Sequence, residues 1–163
     1  MLLDIEKIGH EQHAHWIIFT GDRIVANKQQ AKLIETNWQQ LAMIHQYQDQ
    51  IISLGEYEGK PCYAVDVGTE QLALDDYETM SLRGVFMSHN ESLFSIVARA
   101  WQWVLFRRTH RYCGQCGSTM QQVGWEMATQ CHSCRHRCYP RVSPCIIVAI
   151  KKHDKILLAQ GKA

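Results

Sequence analysis

Apolar and polar positions divide the chain into a strand-rich front, a helix, a polar turn-rich stretch and a second apolar segment. Leu2 to Ala26 reads as strand-like. The runs His15-Trp16-Ile17-Ile18-Phe19 and Arg23-Ile24-Val25-Ala26 are joined by Thr20-Gly21-Asp22, a natural hairpin turn. Asn27 to Gln50 is Gln-rich and only loosely periodic, which leaves a loop or a short helix around Leu41 and Ile44 both open. QIISLGEYEG and PCYAVDVG then predict two strands around the turn Glu58-Gly59-Lys60, so residues 1–68 are expected to form a small antiparallel sheet. Cys62 on the second of these strands reads as a buried small hydrophobe.

Residues 69–82 are polar and acidic, as expected of a linker packed across that sheet. Ser88-x-x-Glu91 has the form of a capping box. After it Leu93, Val97, Ala100, Trp101 and Val104 recur at helical spacing up to Phe106. Phe94, Trp101, Trp103 and Phe106 are better explained as core or interface than as a ligand cage. Beyond Pro140, Cys145-Ile-Ile-Val-Ala-Ile150 is an unbroken apolar run, the pattern of a strand covered on both faces, with Cys145 buried. A turn at Lys152-His153-Asp154-Lys155 leads into a partner strand. Nothing in the remaining residues would cover two faces, so the sheet is expected to be cut off within a domain.

Length and charge narrow the picture modestly. The 163 residues can bury one moderate core or two small ones. A formal net charge of +1 with 20% charged residues makes no global case for nucleic acid or an acidic partner. Arg107, Arg108, His110 and Arg111 read as the solvated end of a helix. There is no bilayer-length apolar run, and Met-Leu-Leu-Asp-Ile-Glu lacks the basic start and apolar centre of a signal peptide. A cytoplasmic protein with reduced thiols and no membrane association is expected.

The chemistry concentrates between Tyr112 and Pro140. Cys113-x-x-Cys116 and Cys131-x-x-Cys134 are separated by 14 residues. Two short turns each aim a pair of thiolates at one point, and together they supply the four tetrahedral ligands of a structural zinc in a ribbon. The glycines after Cys113 and Cys116 suit a tight knuckle. A redox dithiol would need only one pair, usually at a helix start. A disulfide framework fits poorly with seven cysteines and no secretory signal. A closed four-thiolate site holds a fold and performs no hydrolysis. His132, His136 and Cys138 crowd the second knuckle, although the four-cysteine set is complete without them.

The knuckle YCGQCG, the second C-x-x-C, CYPRVSPCIIVAI and Asp154-x-Ile-Leu-Leu-Ala-Gln together resemble the bacterial NADH pyrophosphatases. These are Nudix hydrolases with an N-terminal domain, a zinc ribbon and a C-terminal catalytic domain. The resemblance implies an α+β chain: an N-terminal β-rich domain at 1–87, a connecting helix at 88–110, the ribbon at 111–140, and the first two strands of an incomplete Nudix α/β/α domain at 141–163. It also implies hydrolysis of NAD or NADH to AMP and nicotinamide mononucleotide, removal of NAD caps from RNA, and a homodimer.

Nudix chemistry uses an acid-rich loop and helix whose glutamates hold Mg²⁺ or Mn²⁺, because an anionic pyrophosphate must be neutralised before a nucleophile approaches. No R-E-x-x-E-E segment occurs here, and Asp75, Asp76 and Glu78 lack the spacing to replace it. The expectation is a chain truncated before the Nudix box, with no catalytic residue of its own. Matching the family position by position places substrate contacts at Lys28, Arg83, Glu126 and Tyr139. The cations would suit phosphates, Tyr139 a base or ribose, and Glu126 a hydroxyl or exocyclic amine. The register of Glu126 and Tyr139 is set by the cysteines. A competing reading is a stand-alone zinc-ribbon module that binds RNA or a protein partner through Arg107, Arg108, Arg111, Arg135, Arg137 and Arg141. A thiol redox protein is a third.

Overall fold

A computed structural model of the chain describes residues 12–27, 32–70, 72 and 77–159. Its largest element is a six-stranded sheet built from β1 (Ala14–Thr20), β2 (Arg23–Asn27), β3 (Ile34–Thr36), β4 (Ile52–Tyr57), β5 (Lys60–Asp66) and β6 (Tyr77–Ser81). The strands run in the order β4-β5-β1-β2-β6, and β3 pairs with the first half of β1. Every residue of β1 is buried. In the plane of the sheet β5 lies along one of its edges and β2 and β3 share the other, and layers cover both of its faces.

The two faces of β1 feed two cores, as the two-residue period of a strand requires. Ile17 and Phe19 join Ile24, Ala26, Cys62 and Ala64 on the face covered by α1 (Leu82–Met87) and α2 (Glu91–Thr109). Trp16 and Ile18 join Val25, Tyr63 and Val65 on the opposite face, beneath a 3₁₀ segment at Trp38–Gln50. That segment resolves the open reading of Asn27 to Gln50. It is helical, is capped by the Asn37 side chain and buries Trp38, Leu41 and Ile44. Cys62 is fully buried, and burial pushes its thiol up to about 12.

Several expectations are corrected. The sheet is mixed, because β1 and β5 are parallel from His15 with Cys62 to Phe19 with Asp66. Local pattern predicts β1 and β5 as strands, but direction is set by how the chain returns, here through β3 and the 3₁₀ segment. Within the stretch read as a linker, Tyr77–Ser81 is a strand pairing with β2. Asp75 and Asp76 lie outside the described residues. The capping box does not form. Ser88 instead ends α1, and the Asn90 carboxamide caps α2 by accepting from the Leu93 amide at 2.9 Å.

On α2, Leu93, Val97, Ala100, Trp103, Val104 and Phe106 enter the core, and Phe94 and Trp101 pack at its margin. The basic end of α2 is not solvated as expected. Arg107 and Arg108 are half-buried, and Arg108 pairs with Asp66 at the end of β5. Placing both in the last turn also suits the negative end of the helix dipole.

The ribbon follows as β7 (Met120–Gln122), β8 (Thr129–Cys131) and β9 (Arg137–Cys138), a three-stranded antiparallel sheet. Residues 141–150 then form no strand, contrary to the expected start of a Nudix sheet. Ile146, Ile147, Val148 and Ile150 are exposed, and so is Cys145, which was expected to be buried. An apolar run forms a two-sided strand only when layers exist to cover it, and none of the described residues does so. The hairpin turn at His153 and Asp154 is present, joining β10 (Lys151–Lys152) to β11 (Lys155–Ile156).

Candidate functional site

The four ribbon cysteines converge. The sulfurs of Cys113, Cys116, Cys131 and Cys134 all lie within 4.8 Å of one another, and the cross-knuckle pairs Cys113–Cys134 and Cys116–Cys131 are each 3.5 Å apart. A tetrahedral zinc with Zn–S bonds of about 2.3 Å needs sulfurs separated by about 3.8 Å, so the set fits that ion. Backbone amides reinforce it: Gln115 N–H donates to the Cys113 sulfur at 3.4 Å and Cys134 N–H to Cys131 at 3.5 Å.

The chemistry of the donors makes the same case. Hydrogen bonds, those from Ser118 foremost, draw the Cys116 thiol down to about 6. At Cys134 a backbone hydrogen bond from His136 pulls downward, yet local desolvation and the neighbouring thiols outweigh it and push the group up to about 12. Four thiolates cannot share one point without a cation to balance them. The imidazole Nδ1 of His132 sits 3.0 Å from the Thr119 carbonyl, so this nitrogen faces the backbone and not the sulfurs.

Each knuckle closes on a left-handed residue immediately after its second cysteine. In the first this is Gly117 at φ +76°, whose amide donates to the Cys113 carbonyl at 2.9 Å. In the second it is Arg135 at φ +61°, donating to Cys131 at 3.1 Å. Glycine adopts this conformation freely, whereas arginine does so at a cost of about 1 kcal/mol. The second knuckle is the strained one.

Beside the metal centre the ribbon gathers a polar corner. The Glu126 carboxylate accepts from Arg137 Nη1 at 2.7 Å and from the Tyr139 hydroxyl at 3.3 and 3.4 Å. Arg137 is itself held by two bonds to Gln130 Oε1, its cross-strand partner, and lies 5.8 Å from the centre of the exposed Trp125 ring. Glu126 and Tyr139, placed from sequence at one site, are thus brought together. Arg83 is exposed on α1 and shares no hydrogen bond or ion pair with them, and Lys28 lies outside the described residues. The sequence offers Arg137 only as part of a basic ribbon surface. Its place in the corner follows from the Gln130–Arg137 register, which becomes readable only once β8 and β9 are paired.

A mixed sheet backed by a long helix and followed by a four-cysteine ribbon defines an α+β zinc-ribbon protein. Residues 13–104 match the NADH pyrophosphatase-like rudimentary NUDIX domain, and residues 108–139 match the NADH pyrophosphatase zinc ribbon domain. The chain therefore belongs to the NADH pyrophosphatase family. It is similar to proteins named NAD-capped RNA hydrolase NudC. The Photorhabdus laumondii protein is 33% identical over 156 residues, 95% of this chain and 56% of the relative. The Pectobacterium atrosepticum protein is 39% identical over 107 residues, 66% of this chain and 38% of the relative. The protein of Escherichia coli O157:H7 is 38% identical over 109 residues, 67% and 40% respectively. The chain thus spans between 38% and 56% of these relatives' lengths. No described helix is long and apolar enough to cross a membrane.

Proposed function

We propose that this chain is the substrate-recognising and zinc-ribbon portion of an NADH pyrophosphatase, acting on NAD(H) and on NAD-capped RNA. The observation that carries the reading is the Glu126 carboxylate held between Arg137 and Tyr139. Arg137 orients the carboxylate as an acceptor for a ribose hydroxyl or an exocyclic amine, and the half-exposed Tyr139 ring beside it offers a stacking face. Lys28 and Arg83 would meet the phosphates. The names of the relatives support the capped-RNA substrate.

Zinc held by Cys113, Cys116, Cys131 and Cys134 fixes the ribbon that carries this corner. In the full reaction water cleaves the pyrophosphate to AMP and nicotinamide mononucleotide, with Mg²⁺ or Mn²⁺ supplying charge neutralisation. These 163 residues contain no R-E-x-x-E-E segment to hold such ions. We therefore expect them to bind substrate without cleaving it, as a β-rich domain, a connecting helix, a ribbon and the beginning of a Nudix domain within a homodimer.

Calorimetry with NADH on the zinc-loaded chain, with Mg²⁺ or Mn²⁺ present and AMP release followed in parallel, tests this reading. Binding without AMP is expected. Glu126→Gln or Tyr139→Phe should weaken binding by about tenfold, the effect of losing one good polar contact. Absence of NADH binding overturns substrate recognition, and AMP formation overturns the assignment of hydrolysis to other residues.

A further inference from the structure

A cleft of about 540 Å³ lies where the end of α2 meets the ribbon, and Arg107, Arg108, Arg111, Tyr112, Gln122 and Thr129 are among its lining residues. Three guanidiniums line it, and one is neutralised. Arg108 is committed to Asp66, the sole carboxylate among the described lining residues. Arg107 and Arg111 make no hydrogen bond or ion pair among the described residues, so two positive charges remain uncompensated. Burial holds the Arg107 guanidinium below its usual range even though the field of Asp66 acts the other way. A partly desolvated cation without a partner is costly unless an anion joins it.

The ribbon residues of the lining carry a second, independent signal. Gln122 and Thr129 stand opposite each other in the β7–β8 register. Both polar atoms of the Gln122 amide and the Thr129 hydroxyl are buried with no hydrogen-bond partner among the described residues, and Thr129 is 4% exposed. Buried polar groups are nearly always bonded, so orphans in the wall of a cleft with two unpaired cations indicate a polar ligand that completes them. Gln122 would turn its amide to reach one.

We propose that this cleft binds the phosphomonoester of a nucleotide-sized ligand. Two free guanidiniums match the charge of nearly −2 that a phosphomonoester carries at neutral pH, whereas each phosphodiester of an RNA backbone carries only −1. Their forked geometry suits phosphate oxygens. The volume lies in the range of small-molecule sites. Tyr112, 67% exposed, offers a ring on which a base can stack. No lining residue is shared with the Glu126 corner, so the site goes beyond the reading above.

AMP titrated into the zinc-loaded chain, followed by backbone amide NMR shifts, tests the assignment. Shifts should concentrate at residues 107–112 and at Gln122 and Thr129. The exposed Arg111→Gln should weaken AMP binding about tenfold without affecting the fold, and Arg107→Gln at least as much. Glu126→Gln should leave these shifts in place, which separates failure here from failure of dinucleotide recognition. The proposal is overturned if AMP shifts none of these amides, if both arginine variants bind it unchanged, or if adenosine binds as well as AMP. Displacement of AMP by a lower concentration of a 5′-hydroxyl tetraribonucleotide, which carries only phosphodiesters, also overturns it.

Discussion

Arg108 grips Asp66 through two parallel hydrogen bonds, Nε to Oδ2 at 2.8 Å and Nη2 to Oδ1 at 2.5 Å. Its remaining nitrogen donates to the Gly21 carbonyl at 2.6 Å, and its guanidinium lies 5.5 Å from the centre of the Trp101 ring. One side chain therefore joins the last turn of α2 to the end of β5 and to the β1–β2 turn. The ribbon follows within a few residues of this clamp.

Breaking the clamp should cost more than losing a surface ion pair, since the Arg108 and Asp66 side chains are only 29% and 18% exposed. Arg108→Ala is expected to destabilise the fold by about 2–3 kcal/mol and Asp66→Asn by about 1–2 kcal/mol. A double-mutant cycle in urea should return a coupling above about 1 kcal/mol. Additivity within error would show that the two residues act separately.

Metal should govern the ribbon alone. Cys131→Ser is expected to lower bound zinc well below one per chain and to release amide protection from Tyr112 to Cys138, while the six-stranded sheet keeps its protection. Stoichiometric zinc in that variant would mean that another side chain completes the site.

The strained second knuckle can be relieved. Arg135→Gly should stabilise the zinc-loaded ribbon by up to about 1 kcal/mol, because glycine takes the left-handed conformation without a Cβ penalty. Zinc competition against a chelator measures this directly. Weaker zinc binding would assign Arg135 a contact that outweighs its strain.

Acid sensitivity has a specific source in His15. The ring is 5% exposed, packs edge-on against Tyr57 and has an Nδ1 with no partner. Burial foremost holds its pKa below the usual value. Glu35 and Glu58 pull upward, and Lys60 adds to the lowering. With the folded pKa depressed, the unfolded chain takes up the proton first. The stability due to neutral His15 is present above about pH 6.5 and is lost as pH falls through the folded value. The His15 ring resonance should titrate with a midpoint below 6.5, and His15→Phe should flatten the fall in stability as pH drops below 6.5. A midpoint above 6.5 would contradict this.

Exposed apolar side chains at 146–150 and at Leu157 and Leu158 should make the isolated chain associate. Ile147 is fully exposed, so Ile147→Lys should reduce association in sedimentation without changing zinc content or thermal stability. A chain that stays monodisperse with Ile147 intact would remove the basis of the expectation.

Legibility from sequence varied with the range of the forces involved. Strands β1, β2, β4 and β5, the body of α2 and the paired knuckles follow from side-chain period and cysteine spacing, which are local. Alternation along Trp16-Ile17-Ile18-Phe19 cannot show that both faces are covered, because the covering layers come from residues 38–50 and 82–109. The apolar pattern of 145–150 predicts a strand, yet a strand needs neighbours as well as propensity, and the run is exposed without them.

The amino-acid sequence by itself determined the zinc-ribbon character of this protein, since four thiols in two short turns can meet in few other ways. It also placed Glu126 and Tyr139 in fixed register with those cysteines. The tertiary structure alone decided that β1 and β5 run parallel, that Arg137 holds Glu126, that Arg108 is consumed by Asp66, and that Arg107 and Arg111 line a cleft with Gln122 and Thr129 without a partner among the described residues. The reason is physical: ligand spacing within a knuckle acts over a few bonds. The charge balance of a cleft depends on which distant side chains the folded backbone brings within about 3 Å of each other.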